Sequence, residues 1–569
     1  MKKRFEGLLQ HAIETAAKGG ALKLESLPPL FFEVPKDPQF GDLASTVALQ
    51  LARQARQSPR AIAETILSHF RDPDGLTTAA EIAGPGYLNF RFSPRFWRQC
   101  LMDVGQPDYG KPALGQGRRV LVEFVSANPT GPLHVGHGRG AVIGDVVARL
   151  LAAAGYRVAR EYYVNDAGKQ IETLGRSVLA RLLQTYDPDT PFPEDGYPGE
   201  YLRELVVRER EALTSAVFAR VREDVPPATE LPRRLKQVAD VAVAVGGELA
   251  GERLLQEIRD DLRILRVDLD SFVSERALRA EAAVTDAIRA LEASGLVYDA
   301  DGARWFRSTG FGDEKDRVIQ RSDGELTYFA SDIAYHQQKL RRGFDQLINV
   351  WGADHHGYVK RVQAAIAALG RDPSCFHVLL VQLVRLTRGG EPLRMGKRTG
   401  EFVTLREVVD EVGPDATRFF FLMRKGDSHL DFDLDLAKKQ SAENPVFYVQ
   451  YAHARICSLF RQANTEGVSV PRATEAALER LSAPEEQEVI KLLAQYPDIV
   501  EEAVTELEPH RVVFYLIELA GSFHRFYNRH RVLGLDAELT GARLYLIRAT
   551  QQVLRGALDL LGVNAPETM

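Results

Sequence analysis

The sequence predicts a multidomain α/β protein, with a small α/β unit first, a parallel-sheet unit in the middle and an all-helical unit last. Three observations carry this. The chain has 569 residues, too many for one hydrophobic core. Its middle alternates short apolar runs with helical patterns, and the runs end in Gly, Pro and polar residues, as strands of an open parallel sheet do. From Thr404 to Gly562 the pattern is helical, with almost no strand signal.

Taken in order, Phe5 to Lys18 reads as a helix, Pro28 to Asp42 as a Pro-rich loop, and Leu43 to Gln54 and Pro59 to Phe70 as helices. Glu81 to Phe92 alternates as a strand broken by a Gly-Pro-Gly turn. A Gly/Pro-rich linker, Asp103 to Arg118, closes a first domain over residues 1–110. Val120 to Val125 is a buried strand with Glu123 inside it, and Tyr156 to Val164 is a second strand ending at Asn165-Asp166-Ala167-Gly168. Residues 181–296 read as a helical insertion. Short strands come next in WFRST, DRVIQRS and ELTYFASD, then Leu347 to Trp351 and Val378 to Arg388. The central domain therefore spans 111–410, a connecting helical segment 411–440, and a bundle 441–569. The bundle helices are Val446–Leu459, Pro484–Tyr496, Arg511–Leu533 and Gly541–Leu561.

Composition bounds the function. A formal net charge of −6 gives no global sign of nucleic-acid binding, so any such contact uses local basic patches. The three cysteines, Cys100, Cys375 and Cys457, are far apart, which argues against a zinc knuckle or disulfide framework and fits a reducing cytoplasm. Met1-Lys2-Lys3-Arg4 is basic, but His11, Glu14 and Lys18 interrupt the next stretch, so no signal-peptide core is expected. No uncharged apolar run is long enough to span a bilayer.

The chemistry concentrates at Val120 to Asp145, VLVEFVSANPTGPLHVGHGRGAVIGD, which reads strand, Gly/Pro loop, helix. Free N–H groups and the positive end of the helix dipole suit an anion there, and His134 and His137 can both donate to phosphate oxygens. An isolated H-x-x-H serves equally as a helix cap. Far along the chain, Arg394-Met395-Gly396-Lys397-Arg398 forms a cationic Gly-rich loop able to close over a polyphosphate. By itself it reads as a solvated surface loop.

Together these motifs carry a resemblance. HVGH resembles the HIGH signature of class I aminoacyl-tRNA synthetases, and RMGKR their KMSKS loop. VEFVSANPTGPLHVGHGRGAVIGD, EYYVNDAGKQ, ADHHGY, NPVFYVQYAHARI and the ending VNAPETM resemble the bacterial type of arginyl-tRNA synthetase over nearly the whole chain and in family order. The resemblance implies a Rossmann-like catalytic domain, an N-terminal tRNA-binding domain and a helical anticodon-binding domain. It implies ligation of L-arginine to tRNA(Arg) through arginyl adenylate, with ATP as substrate, Mg2+ accompanying the ATP and no zinc. It further implies activation that needs tRNA, and a cytoplasmic monomer.

By the same resemblance His134, His137 and Lys397 are catalytic, and Gly136, Gly352, Asp354, Arg394 and Met395 join them around ATP. Gly136 leaves room for adenine, and Arg394 and Gly396 depart from the loop's usual lysine and serine. Arginine falls to Glu123, Ser126, Asn128, His137, Tyr328 and Asp332, because a guanidinium asks for carboxylate and acceptors in fork geometry. Without the resemblance, Tyr328 and Asp332 read rather as a core tyrosine and a helix cap. The tRNA falls to Tyr448, Arg455, Tyr527, Arg531 and Met569 in the bundle, and to Asn89 with Phe40 and Tyr87 in the first domain. Asp354, His355 and His356 are adjacent and have no partner motif, so no metal site is expected there. The rivals are a small nucleotidyltransferase, a non-catalytic tRNA-binding paralogue and a cysteine-specific synthetase. The late basic loop with the helical C-terminus, the intact His134, His137 and Lys397, and the missing zinc-ligating cysteines count against them in turn.

Overall fold

The computed structural model describes residues 2–35, 37–280, 282–393, 403–469 and 474–569. At its centre is a five-stranded, all-parallel sheet in the order 376–381, 346–352, 119–123, 157–164, 271–274. Arg119–Glu123 has its two neighbours reached by opposite turns of the chain, so the switch point where α/β sheets bind ligands falls between it and Gln346–Gly352. In register there, Glu123 pairs with Asn349.

The edge strand Ser271–Ser274 lies inside the stretch 181–296 expected to be a helical insertion, so the central sheet reclaims the chain before residue 296. Its sequence, SFVS, is too short to show a strand period. Two other expectations change. ELTYFASD is not a strand: Thr327 caps the helix Tyr328–Arg341, its hydroxyl accepting from Ala330 N–H. Val378 to Arg388 is two strands in different sheets, Phe376–Val381 and Val384–Arg388. Between them Gln382 turns out of the ladder, its N–H donating to Gly426 and its carbonyl accepting from Arg139. Val384–Arg388 pairs in parallel with a short strand, Leu430–Asp433, in the region expected to be purely helical.

The first domain is a four-stranded antiparallel sheet backed by helices, and Leu43–Ser45, expected to be helical, is one of its strands. Phe5, Phe90, Phe92 and Phe96 fill its core, with Phe92 and Phe96 stacked at 4.2 Å. The last domain packs the helices Pro445–Thr465, Pro484–Thr505, His510–Arg529 and Ala537–Leu560. The helix expected to stop at Tyr496 runs on through Pro497 to Thr505. A proline orphans the carbonyl four residues earlier, here Leu493. That carbonyl accepts from the Tyr109 hydroxyl of the linker at 2.7 Å, so the linker supplies the missing donor and is tied to the bundle by it.

A buried node joins the bundle to the sheet domain. Arg418, fully buried, gives one N–H to Asp145 at 2.6 Å, one to the Leu265 carbonyl at 2.8 Å and one to the Leu561 carbonyl at 2.9 Å. Asp145 lies on the helix that begins at His134, Leu265 ends the helix Ala239–Ile264, and Leu561 comes just after the last bundle helix.

Candidate active site

The strand Arg119–Glu123 ends in a bend where Val125 and Ser126 take φ of 70° and 40°. A β-branched residue rarely adopts that region, and such strain persists where surrounding bonds hold it. Here the Ser126 hydroxyl donates to Glu123 at 3.1 Å and accepts from Tyr163 N–H at 3.0 Å. Its one proton is therefore committed to the protein, which limits it as a direct donor to arginine. Asn128, two residues on, has no side-chain hydrogen bond within the described residues and is part-exposed.

The helix Val135–Ala153 starts at His134, whose Nδ1 accepts from Gly136 N–H at 3.1 Å and His137 N–H at 3.3 Å. His137 Nδ1 in turn accepts from His134 N–H at 3.4 Å, and the two rings stack at 3.6 Å. The ring expected to donate to phosphate is thus also the helix cap. A backbone N–H can only donate, so both Nδ1 atoms are acceptors and the proton of each neutral ring sits on Nε2. Burial, with His134 beside it, pushes the His137 pKa down to about 3, so it stays neutral at working pH. Gly136 is required by the capping geometry: a Cβ there would come within 2.9 Å of the His134 ring.

Residues 394–402, and with them Arg394, Met395, Gly396 and Lys397, lie outside the described residues. Just beyond them, Thr404 forms a β-bridge with His134 and Leu405 N–H donates to the Leu133 carbonyl at 2.7 Å. The chain after the cationic loop therefore returns directly beside the first histidine.

Across the switch point lies a pocket of buried charge. Glu123 is held by Lys339 and by Asn349 Nδ2 at 2.9 Å, Glu161 by both arms of Arg342 at 2.6 and 2.8 Å, and Glu275 by Arg279 at 2.6 Å. The fourth carboxylate, Asp332, is ion-paired with no cation among the described residues and accepts only from the Tyr358 hydroxyl. Burial foremost, then the charges of Glu123 and Glu275, pushes Asp332 up to about 7, against the Tyr358 hydrogen bond and Lys339. Glu275, 1% exposed, leaves Oε2 without a partner, and burial raises its pKa too. Among the described residues, these four carboxylates have three cationic partners, Lys339, Arg342 and Arg279.

Tyr328 is 48% exposed, its hydroxyl beside Gly168 on the loop after the neighbouring strand. Gly352 and Asp354 begin the 3-10 turn at the end of Gln346–Gly352, and Asp354 is exposed. Glu275, Tyr358, Lys339 and Asn349 escaped the sequence reading. Tyr358 alone carried a signal, as the last residue of ADHHGY.

In the bundle, Arg455 lies between the rings of Tyr451 and Tyr527, 4.5 Å from each, and donates to His524 Nδ1 at 3.2 Å, while Tyr448 packs on His524 at 4.6 Å. Tyr451, part of this cluster, also escaped it. Arg531 and Met569 are exposed, and the tail before Met569 is tied to Pro445–Thr465 through Gln450 and His453. Asn89 corrects an expectation. At 9% exposure, in a strand paired on both sides, it offers little surface to a tRNA, whereas Phe40 is 47% exposed and Tyr87 intermediate.

Comparison with known proteins places the chain in a family. Three family descriptions fit the chain: "Arginyl tRNA synthetase N terminal domain" over 3–92, "tRNA synthetases class I (R), catalytic domain" over 101–190 and 250–430, and "DALR anticodon binding domain" over 449–569. The arginine–tRNA ligase of Syntrophotalea carbinolica is 48% identical over 571 residues, covering 100% of both chains. The chain belongs to the arginyl-tRNA synthetase family. It is an arginine–tRNA ligase with a class I catalytic domain, and ATP is its substrate. A putative arginyl-tRNA synthetase structure from Campylobacter jejuni is 35% identical, with a TM-score of 0.71 over 83% of this chain and 98% of that one. The Thermus thermophilus arginyl-tRNA synthetase is 26% identical, with a TM-score of 0.77 over 99% of each chain.

The helix start yields a first expectation. His134→Ala should cut adenylate formation about 10²- to 10³-fold, the usual cost of losing one donor to developing charge. It should also cost about 1 kcal/mol of stability through the lost cap. His134→Asn, which keeps a capping oxygen, should recover the stability and not the rate. Pre-steady-state adenylate formation and thermal melting separate the two, and equal recovery of both would leave His134 only a cap.

Proposed function

We propose that arginine and ATP meet across the switch point, arginine over the carboxylate pocket and ATP along the first turn of Val135–Ala153. What supports this is that Asp332, with Glu275 beside it, pairs with no cation among the described residues, as a group that takes a guanidinium would, and that Tyr328, exposed, starts the same helix. Glu123 contributes negative field while remaining bound to Lys339. Asn128, with His137, holds the α-amino and carboxylate groups, and Ser126 acts mainly through the bend its hydroxyl fixes.

The arginine carboxylate oxygen then attacks the α-phosphorus in line. One O–P bond forms as the bond to pyrophosphate breaks, with no protein nucleophile. The Nε2–H groups of His134 and His137 donate to the phosphates, and Lys397, with Arg394 and Met395, belongs to the ATP site, Lys397 offsetting charge on the departing pyrophosphate. Gly136 faces the adenine, and Gly352 and Asp354 the ribose. Mg2+ would accompany the ATP and offset charge on its phosphates. In the second step a hydroxyl of the tRNA's terminal ribose attacks the activated carbonyl and AMP leaves.

The domains divide as 1–110 for the outer corner of the tRNA, 111–410 for catalysis and 441–569 for the anticodon, with 411–440 joining the last two. Phe40 and Tyr87 serve the first; Tyr448, Arg455, Tyr527, Arg531 and Met569 serve the last. With all three ligands served by one chain, it works as a monomer. Its three free cysteines fit the cytoplasm, and no helix among the described residues is long and apolar enough to cross a membrane.

Tyr527→Ala tests the anticodon surface. It removes one stacking platform and one side of the Arg455 sandwich, and base stacking contributes about 1–3 kcal/mol. The KM for tRNA should rise about 5- to 100-fold while the KM values for arginine and ATP hold. An unchanged tRNA KM would leave the ring as packing.

A further inference from the structure

Asp332 is held by the protein at one oxygen only. Its Oδ2 accepts from the Tyr358 hydroxyl, while Oδ1 accepts from no described residue. Tyr358 ends the 3-10 turn Ala353–Tyr358, which the strand Gln346–Gly352 delivers to the switch point. Its ring is set edge-on against Phe329 at 6.1 Å and against Trp351 at 6.1 Å, with the Arg361 guanidinium over it at 5.1 Å. Nothing in that packing needs the hydroxyl, whose only hydrogen bond among the described residues is to Asp332.

We propose that Tyr358 is a positioning residue for arginine recognition: its hydroxyl locks one oxygen of Asp332 and presents the other to the guanidinium. This rests on Asp332 being the guanidinium's partner. A guanidinium is a rigid planar donor fork, so a carboxylate that rotates loses geometry as well as energy. The charge argument points the same way. The groups facing Asp332 are Glu123 from Arg119–Glu123, Tyr163 from Arg157–Val164, Glu275 from Glu275–Ala280, Lys339 and His336 from its own helix, and Tyr358 with Arg361 behind it. Burial and the two glutamates favour the protonated acid. Opposing them, the Tyr358 hydrogen bond weighs more than Lys339. Without the hydroxyl, Asp332 moves further up and less of it is ionised at pH 7.

The test is Tyr358→Phe, which keeps the ring and so the packing, assayed by aminoacylation between pH 6.5 and 9. At pH 7 the KM for arginine should rise about 10- to 100-fold, as for a lost hydrogen bond to a charged group, with the KM values for ATP and tRNA unchanged. The deficit should narrow toward pH 9, where Asp332 ionises in both proteins. In an Asp332→Asn background Tyr358→Phe should add less than about twofold, because the charged acceptor is gone. The same loss at both pH limits, an equal rise in the ATP KM, or a full penalty in the Asp332→Asn background would overturn the positioning role. If Asp332→Asn alone left the arginine KM unmoved, the underlying assignment of Asp332 would fall instead.

Discussion

Asp332→Ala should lower kcat/KM for arginine by about 10²- to 10⁴-fold while leaving the KM for ATP within twofold. Removing one partner of a desolvated charge pair costs about 2–5 kcal/mol, and here the removed group is the carboxylate that, among the described residues, has no cationic partner. An equal loss for both substrates would place Asp332 elsewhere than at the guanidinium. The wild type should show the same group in its pH profile. An acid whose pKa is raised to about 7 is neutral below that pH and charged above it. Arginine kcat/KM should therefore fall about tenfold per pH unit on the acid side of 7 and level off above it. Asp332→Ala should flatten that limb.

Stability moves the other way. A carboxyl raised in the fold binds its proton more tightly than the unfolded chain does, so it destabilises the fold as pH climbs from the ordinary Asp range to about 7. Free Asp332→Ala should then be no less stable than wild type at pH 8. Arginine should stabilise the wild type against heat and the variant far less.

How much of this site is legible in the sequence depends on what its residues do locally. His134 and His137 are legible because an anion-binding helix start is a local object, with strand, glycines and histidines within one short stretch. Asp332 and Tyr328 are legible by resemblance only. Their segment reads as a strand, because the cap that makes it a helix is a single threonine, Thr327. Glu275, Lys339 and Tyr358 are illegible for a different reason. Each is ordinary in its own segment, and its meaning comes from three elements meeting at one carboxylate. The same holds for Pro497, a correct local signal for a helix stop, overridden by a tyrosine hydroxyl from 384 residues away.

Arg418→Ala should weaken the junction between the bundle and the sheet domain by about 3 kcal/mol, the low end for breaking a buried ion pair, because Asp145 keeps Arg149 as a second partner at 2.8 Å. The cost has two parts. The Leu265 and Leu561 carbonyls lose their donors, and Asp145, 1% exposed, loses its buried cation. Burial depresses the Arg418 pKa and Asp145 restores part of it, so the pair is mutually dependent. Urea unfolding with limited proteolysis near residue 562 should show the bundle released at lower denaturant. Arg418→Met with Asp145→Leu should recover a good part of the loss, because it removes the stranded charge while keeping volume. If the double variant melts like Arg418→Ala, the lost carbonyl bonds rather than the charge hold the junction. In both cases the junction connects the helix that His134 begins to the end of the bundle. Asp145 sits three turns along the helix that His134 begins, and Leu561 closes the last helix of the bundle. A loosened node should therefore raise the tRNA KM and slow adenylate formation together, in a protein whose arginine pocket is untouched.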